Sequence, residues 1–436
     1  MFSRNDPRGR DGPTPIGQRL PVAAQRLPRG RRGGSAKPMK PTLLVNLTAA
    51  VAAVAIAWHV GEITTPTPKG ELADEAKVRT EKVEPTPKTP IHRKPLIHGQ
   101  MRGMAIQLHA GADAYERYER LVPELAALGA DTVMFVVHGW QTHGGSLDLH
   151  LSPQRTPSPE ALGKLLDLAA LHGMRRILMP VVLLTNPRGG EWRGKIVPPG
   201  HDWDAWFKRY QLFMSHWAKI AEKHQVEVLM VGSELIKSEV YKQRWQETIA
   251  SVREIYGGKL GYSSNWDHYQ TTKIGFWGDL DYVGMTTYYE LAKAPSPDIA
   301  EIDGNWERIK KQILTFQKEV NKPILFTEVG WCSQQGAAKE GWNYFAHQKA
   351  TEAGHREQAM LYESFMRAWS DEPSVGGIMW WEWDLSEGGK EDYNYTPRGK
   401  LAEALLRMWF NNGRAKEESR QADDKSRRAP TMALPA

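Results

Sequence analysis

The chain has a single cysteine, Cys332, among 436 residues, so no disulfide can close within it and no cysteine-rich metal site can be built. An exported protein without disulfides has to rely on a large core, and this length allows one. No glycine-rich phosphate loop comes after the first β-like run, which argues against a doubly wound nucleotide-binding sheet. Repeats at solenoid periods are absent. A basic fold is missing too. The formal net charge is +6, yet ten Lys and Arg residues fall in the first 40 positions, against only Asp6 and Asp11. The remainder is near neutral or slightly acidic, so overall charge gives nucleic-acid binding no support.

What is abundant is tryptophan, with 17 residues. Indoles stack on the apolar faces of sugar rings, and they also fill large cores; about two thirds are expected in the core. Residues 1–41 are rich in Arg, Pro and Gly without an apolar period, and read as disordered. Residues 42–60 form an apolar run broken inside only by Asn46, Thr48 and His59. That length just spans a bilayer core as a helix. The basic flank before it keeps the N-terminus in the cytoplasm and exports the rest of the chain. An uncleaved anchor is the preferred reading. The rival is a signal peptide, since Ala55-Ile56-Ala57 resembles a small-x-small cleavage site. Residues 61–97, with Thr-Pro repeats and alternating charge, read as an extended linker. Residues 98–412 form the folded domain, and 413–436 a disordered tail.

Within the folded domain, short apolar runs alternate with amphipathic stretches of helical period. Strands are expected at 102–108, 131–138, 176–184, 226–233, 259–265, 280–288, 323–329 and 375–381. Helices are expected at 115–128, 159–172, 203–224, 241–256, 306–320, 354–370 and 399–410, with a poorly defined fifth between 270 and 278. Eight strands interleaved with helices over roughly 310 residues indicate an α/β fold of the (β/α)8 TIM-barrel type.

In such a barrel, reactive groups sit at the C-terminal ends of the strands. Two runs end in a glutamate directly after an apolar segment. The fourth reads Val228-Leu229-Met230-Val231-Gly232-Ser233-Glu234, and the seventh reads Pro323-Ile324-Leu325-Phe326-Thr327-Glu328. Retaining glycosidases need two carboxyl groups about 5 Å apart, one to protonate the leaving oxygen and one to attack the anomeric carbon. A lone strand-end glutamate is more often a cap partner or a surface charge; a pair on strands four and seven favours catalysis. Cleavage by this route needs only carboxylates and water, so no cofactor and no metal is implied. His138 and His143 as metal ligands are unconvincing, because a five-residue spacing in a glycine-containing loop is a poor ligand pattern. By position alone, His138, Trp140 and Gln141 after strand two, and Asn265 and Trp266 after strand five, are candidates to bind sugar hydroxyls or stack on a ring.

The segments Phe326–Trp331 and Gly377–Asp384, followed by Thr396-Pro397-Arg398-Gly399-Lys400, resemble clan A glycoside hydrolases. The nearest likeness is to glycoside hydrolase family 113, whose characterised members are endo-β-1,4-mannanases. It covers about Gly103 to Phe410 and includes Gly163–Pro180 and Phe276–Leu291. The resemblance implies that Glu234 is the acid/base and Glu328 the nucleophile, with Glu234 protonated and Glu328 ionised. It also implies that Tyr288 hydrogen-bonds the nucleophile and that Trp381 floors the subsite around the cleaved bond. Trp380, the nearly equal candidate for that floor, would then face the other way.

Two departures bear on the substrate. Ser233 stands where the clan usually has an asparagine that bonds the sugar 2-hydroxyl; a hydroxyl can donate the same bond but reaches less far. Pro180 is followed by Val181, Val182, Leu183 and Leu184, where mannanase-like members carry polar residues. The expected substrate is thus mannan or a related β-linked polysaccharide. A transglycosylase, or a membrane-held barrel that binds glycan without cutting it, are the rival readings.

Overall fold

The computed structural model describes residues 92–94 and 99–413. Eight strands close into a barrel in sequence order, every neighbouring pair parallel. They are β1 (Met101–Gln107), β2 (Thr132–Gln141), β3 (Arg175–Leu184), β4 (Val228–Ser233), β5 (Lys259–Ser264), β6 (Tyr282–Thr286), β7 (Ile324–Val329) and β8 (Val375–Trp380). Each expected strand is present. The largest displacement is at the end of β2, where His138 to Gln141 continue the ladder against Val181 to Leu184 instead of opening a loop.

Alternation along the strands divides the core in two. On β2, Val133, Phe135 and Val137 face the helices, while Met134, Val136 and Trp140 face the barrel axis. The axis is filled largely by methionines: Met101, Met134, Met179, Met230 and Met379. Their unbranched, polarisable chains fit an irregular interior that branched residues would fill less evenly.

The helices are α1 (Ala114–Tyr118), α2 (Leu121–Leu128), α3 (Pro159–Leu171), α4 (Trp203–Lys223), α5 (Lys242–Arg253), α6 (Ile299–Val320) and α7 (Glu352–Trp369), with residues 401–413 forming α8. Side-chain caps set the starts. Ser158 accepts from Ala161 N, Asp202 from Ala205 N, Asp298 from Glu301 N and Thr351 from Gly354 N, satisfying amides that no helix turn can reach. Capped by Asp298, α6 starts at Ile299, seven residues before the expected Trp306. The helix expected over 115–128 is broken into two, because Pro123 has no N–H to give the carbonyl four residues back, that of Glu119. Between β5 and β6 only a short 3-10 turn, Trp277–Asp279, is present, in keeping with the weak helical pattern there.

Twelve of the described tryptophans are buried, close to the share expected for the core. At the N-terminal face of the barrel, Arg176 forks onto Glu227 with Nε–Oε2 and Nη2–Oε1 distances of 2.9 Å. Both side chains are 1% exposed, and the bidentate geometry offsets the cost of burying two charges. The chain enters at this face: Lys94 N donates to Glu227 Oε1 at 2.8 Å and Arg93 Nε to Val226 O at 2.9 Å. α8 ends there as well, with Arg102 of β1 donating to Trp409 O at 2.8 Å and lying over the Trp409 ring.

Among the described residues, no helix is long and apolar enough to cross a membrane. The expected anchor at 42–60, the basic segment, the linker 61–97 apart from residues 92–94, and the tail beyond 413 lie outside the described residues.

Candidate active site

The structure brings Glu234 and Glu328 together at the C-terminal mouth. β4 ends at Ser233, and Glu234 adopts a left-handed conformation with φ +50 while its N–H still bonds Ser263 O at 2.8 Å. A non-glycine residue held there costs on the order of 1–3 kcal/mol. The turn aims the Glu234 carboxyl back across the barrel. Glu328 is on β7, 3% exposed. Two residues on, Gly330 lets β8 approach: a Cβ at Gly330 would sit 2.0 Å from Trp381 O.

One guanidinium bridges the pair. Arg193 Nη2 donates to Glu234 Oε2 and lies 3.8 Å from Glu328 Oε1. Thr286, at the end of β6, donates to Glu234 Oε1 at 3.2 Å and is itself held by Trp266 N at 3.1 Å. Tyr288 donates its hydroxyl to Glu328 Oε2 at 3.0 Å. Burial, followed by the charge of Glu234, pushes the Glu328 carboxyl up to about 7, against the lowering pull of Arg193 and Tyr288. The carboxyl expected to be ionised is the one pushed up, and the one expected to carry a proton is paired with an arginine.

Two further carboxyls stand close by. Glu239 is fully buried, accepts from Tyr262 OH at 2.7 Å, and is pushed up to about 8, mainly by burial. Tyr262 also accepts from Leu235 N at 2.9 Å, so Glu239 backs the peptide that comes after Glu234. Glu382, just beyond β8, accepts from Gln107 Nε2 at 2.8 Å and is likewise pushed up to about 8 by burial and by Asp384.

The remaining predicted residues divide. Trp381 is part-exposed and packs on the axial cluster beside the mouth, whereas Trp380 faces the helices, fully buried and stacked on Tyr362 at 4.4 Å. Trp140 reaches the axial cluster, but its indole N–H is taken by Thr156 Oγ1 at 3.1 Å. His138 is fully buried and stacks on His109 at 4.4 Å. Burial holds both imidazoles down, His109 to about 4. Ser233 Oγ is buried without a hydrogen-bond partner. Asn265 turns to its own loop, donating to Asp267 Oδ1 at 2.7 Å, and Trp266 packs edge-on to Tyr289. Gln141 is not at the mouth: it is fully buried and bonded to Trp206 Nε1 at 3.1 Å, because its parity on β2 turns it outward to α4. His143 Nδ1 accepts from Gly145 N.

Among the described tryptophans, Trp192, Trp266, Trp342 and Trp381 are not buried. Each lies beyond the C-terminal end of a strand, so the partly exposed indoles ring the same mouth as the glutamates. Arg193 and Thr286 were not among the candidates drawn from the sequence. Thr286 carries a signal in hindsight, as a polar residue closing an apolar strand; Arg193 lies in the loop of residues 185–202, with nothing local to mark it.

The model of glycoside hydrolase family 113 matches residues 107–400. Among solved structures, a family 113 β-1,4-mannanase is 26% identical with TM-score 0.63, covering 72% of this chain and 99% of its own. The family 113 β-mannanase from Alicyclobacillus acidocaldarius, solved in complex with ManMIm, is 28% identical with TM-score 0.64, covering 73% and 100%. A family 5 mannosidase from Rhizomucor miehei, 13% identical with TM-score 0.50 over 74% and 95%, shares the fold alone. No curated protein sequence matches the chain. With the family model spanning the barrel from the end of β1 to the start of the last helix, and both glutamates inside it, the chain belongs to glycoside hydrolase family 113.

Proposed function

We propose that the protein is a retaining glycoside hydrolase that cleaves a β-linked polysaccharide, mannan or a related glycan, by double displacement. Glu328 attacks the anomeric carbon and Glu234 protonates the departing oxygen. Glu234 then takes a proton from the water that releases the glycosyl-enzyme. The observation that carries this reading is the single nitrogen of Arg193 reaching both carboxyls. Retaining pairs stand ~5–5.5 Å apart, whereas inverting pairs keep ~6.5–9.5 Å for a water molecule between them. Two carboxyls served by one nitrogen suit the first.

Tyr288 holds the attacking carboxylate and favours its charged form. Thr286 fixes the rotation of Glu234. Trp381 supplies an apolar floor beside them, and the ring of indoles offers stacking faces for neighbouring sugars. Arg193 must leave Glu234 before that residue can act as an acid. The likeness to β-mannanases supports a β-linked substrate. The apolar run 42–60 and its basic flank support a membrane-held protein with its barrel outside the cytoplasm, or a secreted one after signal cleavage.

The test is an activity screen of the full chain on β-linked polysaccharides, with the anomer of the first-formed product monitored by NMR. Retention with loss of turnover in Glu328→Ala supports the reading. An inverted first product rejects double displacement, and binding without cleavage favours the non-catalytic barrel.

A further inference from the structure

Arg193 is the least expected group at the mouth, and its surroundings state a chemical requirement. Its side chain is 17% exposed, with Nε buried and unpartnered. It contacts Glu234 through Nη2, while Glu328 Oε1, on the other side of that nitrogen, has no hydrogen-bond partner. The guanidinium thus occupies the space between the two carboxyls where a glycosidic bond has to lie.

The loop that carries Arg193 is well anchored. Glu191 accepts from Gly144 N at 3.1 Å and from Arg188 N at 2.9 Å, and Val197 N donates to Gly144 O at 2.9 Å. Movement therefore falls to the Arg193 side chain. The strand before this loop contributes only apolar groups to the axis, Val181 and Leu183. The polar group of this βα unit that reaches the glutamates is a cation, not a hydroxyl or an amide.

A neutral sugar gives that cation hydroxyls but no counter-charge, and Glu328, 3.8 Å away, loses its own charge once it bonds the anomeric carbon. If Arg193 stays on Glu234, the acid is blocked; if it leaves, a guanidinium is stranded in a largely desolvated cleft, which is strongly disfavoured. A carboxylate resolves both conditions. It matches the planar fork of a guanidinium through two parallel N–H···O bonds, and it replaces the charge that Glu234 now supplies.

We propose that the substrate is a β-linked glycan whose sugar next to the cleaved bond bears a carboxylate, and that Arg193 recognises this group by exchanging Glu234 for it. This rests on the two-glutamate reading above. Binding of the acidic sugar draws Arg193 aside and frees Glu234 to serve the leaving oxygen, so recognition and activation are one event. Arg193 is then a specificity-determining residue.

The experiment compares pairs of oligosaccharides that differ only in the carboxyl. β-1,4-linked mannuronan is set against its carboxyl-reduced form, which is β-1,4-mannan, and β-1,4-glucuronan against β-1,4-glucan. The full chain should cleave the acidic member of at least one pair with kcat/KM about a hundredfold above the neutral member. Arg193→Gln should lose about a hundredfold more on the acidic member than on the neutral one, with Arg193→Lys between them. Equal or faster cleavage of the neutral members by the unaltered chain overturns the proposal and leaves the two-glutamate reading intact. Equal losses on both members in Arg193→Gln reduce Arg193 to a structural group and also overturn it. No cleavage of any glycan removes the hydrolytic reading and this inference with it. The comparison on the unaltered chain holds even where a variant fails to fold.

Discussion

Tyr288 hydrogen-bonds Glu328 across 3.0 Å from a position two residues past the end of β6, so the hydroxyl and the carboxyl are held by neighbouring strands. The bond stabilises the charged carboxylate against burial, which pushes Glu328 up to about 7. Attack requires that carboxyl ionised, so kcat/KM should rise with pH through a limb near neutrality. Tyr288→Phe removes a stabiliser of the charged form; the limb should move to higher pH, with activity near neutral pH down by about tenfold or more. A pH–rate profile that keeps its acid limb in place would contradict this.

Glu328→Ala should lose turnover by on the order of 10⁴ or more. Azide, attacking from the vacated face, should restore part of it and give the inverted glycosyl azide. Glu234→Ala should retain glycosylation on aryl glycosides with very good leaving groups, which need little protonation, and give the azide of retained configuration. Wild-type activity in both variants on a confirmed substrate would disprove the assignment.

Adjacent indoles on β8 should behave as opposites. Trp380→Ala removes a fully buried ring stacked on Tyr362 of α7, and should cost about 3–5 kcal/mol of stability. Trp381→Ala takes away a part-exposed ring at the mouth, and should raise KM or lower kcat while leaving the unfolding midpoint nearly unchanged. Thermal unfolding and steady-state kinetics on the same two preparations separate the cases.

Glu239 and Glu382 are both pushed up to about 8. Each holds its proton more tightly folded than unfolded. The stability they allow is therefore complete below the ordinary carboxylate range and declines as pH rises through about 8. The melting temperature should fall by several degrees between about pH 5 and pH 8.5. Glu239→Gln, which keeps an oxygen to accept from Tyr262, should flatten that slope. An unchanged slope would mean that Glu239 is not held neutral.

Protease added to intact spheroplasts should degrade the barrel while sparing the first 40 residues, because the basic flank resists translocation. Full protection of a barrel located in the cytoplasm would reject the proposed topology.

The barrel was legible because its strands are buried on both faces and so read as near-continuous apolar runs. Glu234 and Glu328 were legible because each polar residue closes such a run. Parity was harder: Gln141 and Trp140 are neighbours, yet one turns to α4 and the other to the axis, and the extra length of β2 decided which. Arg193 could not be read locally. Its partners lie 41 and 135 positions away, and only closure of the barrel brings the β3–α4 loop over them. The start of α6 was missed because Gly304 interrupts the helical pattern, while the Asp298 cap and the apolar residues after it outweigh one glycine.

Arg93 and Lys94 join the barrel at the pole opposite Glu234 and Glu328, and α8 finishes at that same pole against Arg102. Any handle attached through either end of the described chain, whether a lipid bilayer, a solid support or a fused domain, therefore grips the molecule from behind. The working cleft points away from the attachment, toward polymer approaching from the far side, and an immobilised preparation gripped in this way should keep its access to long substrates.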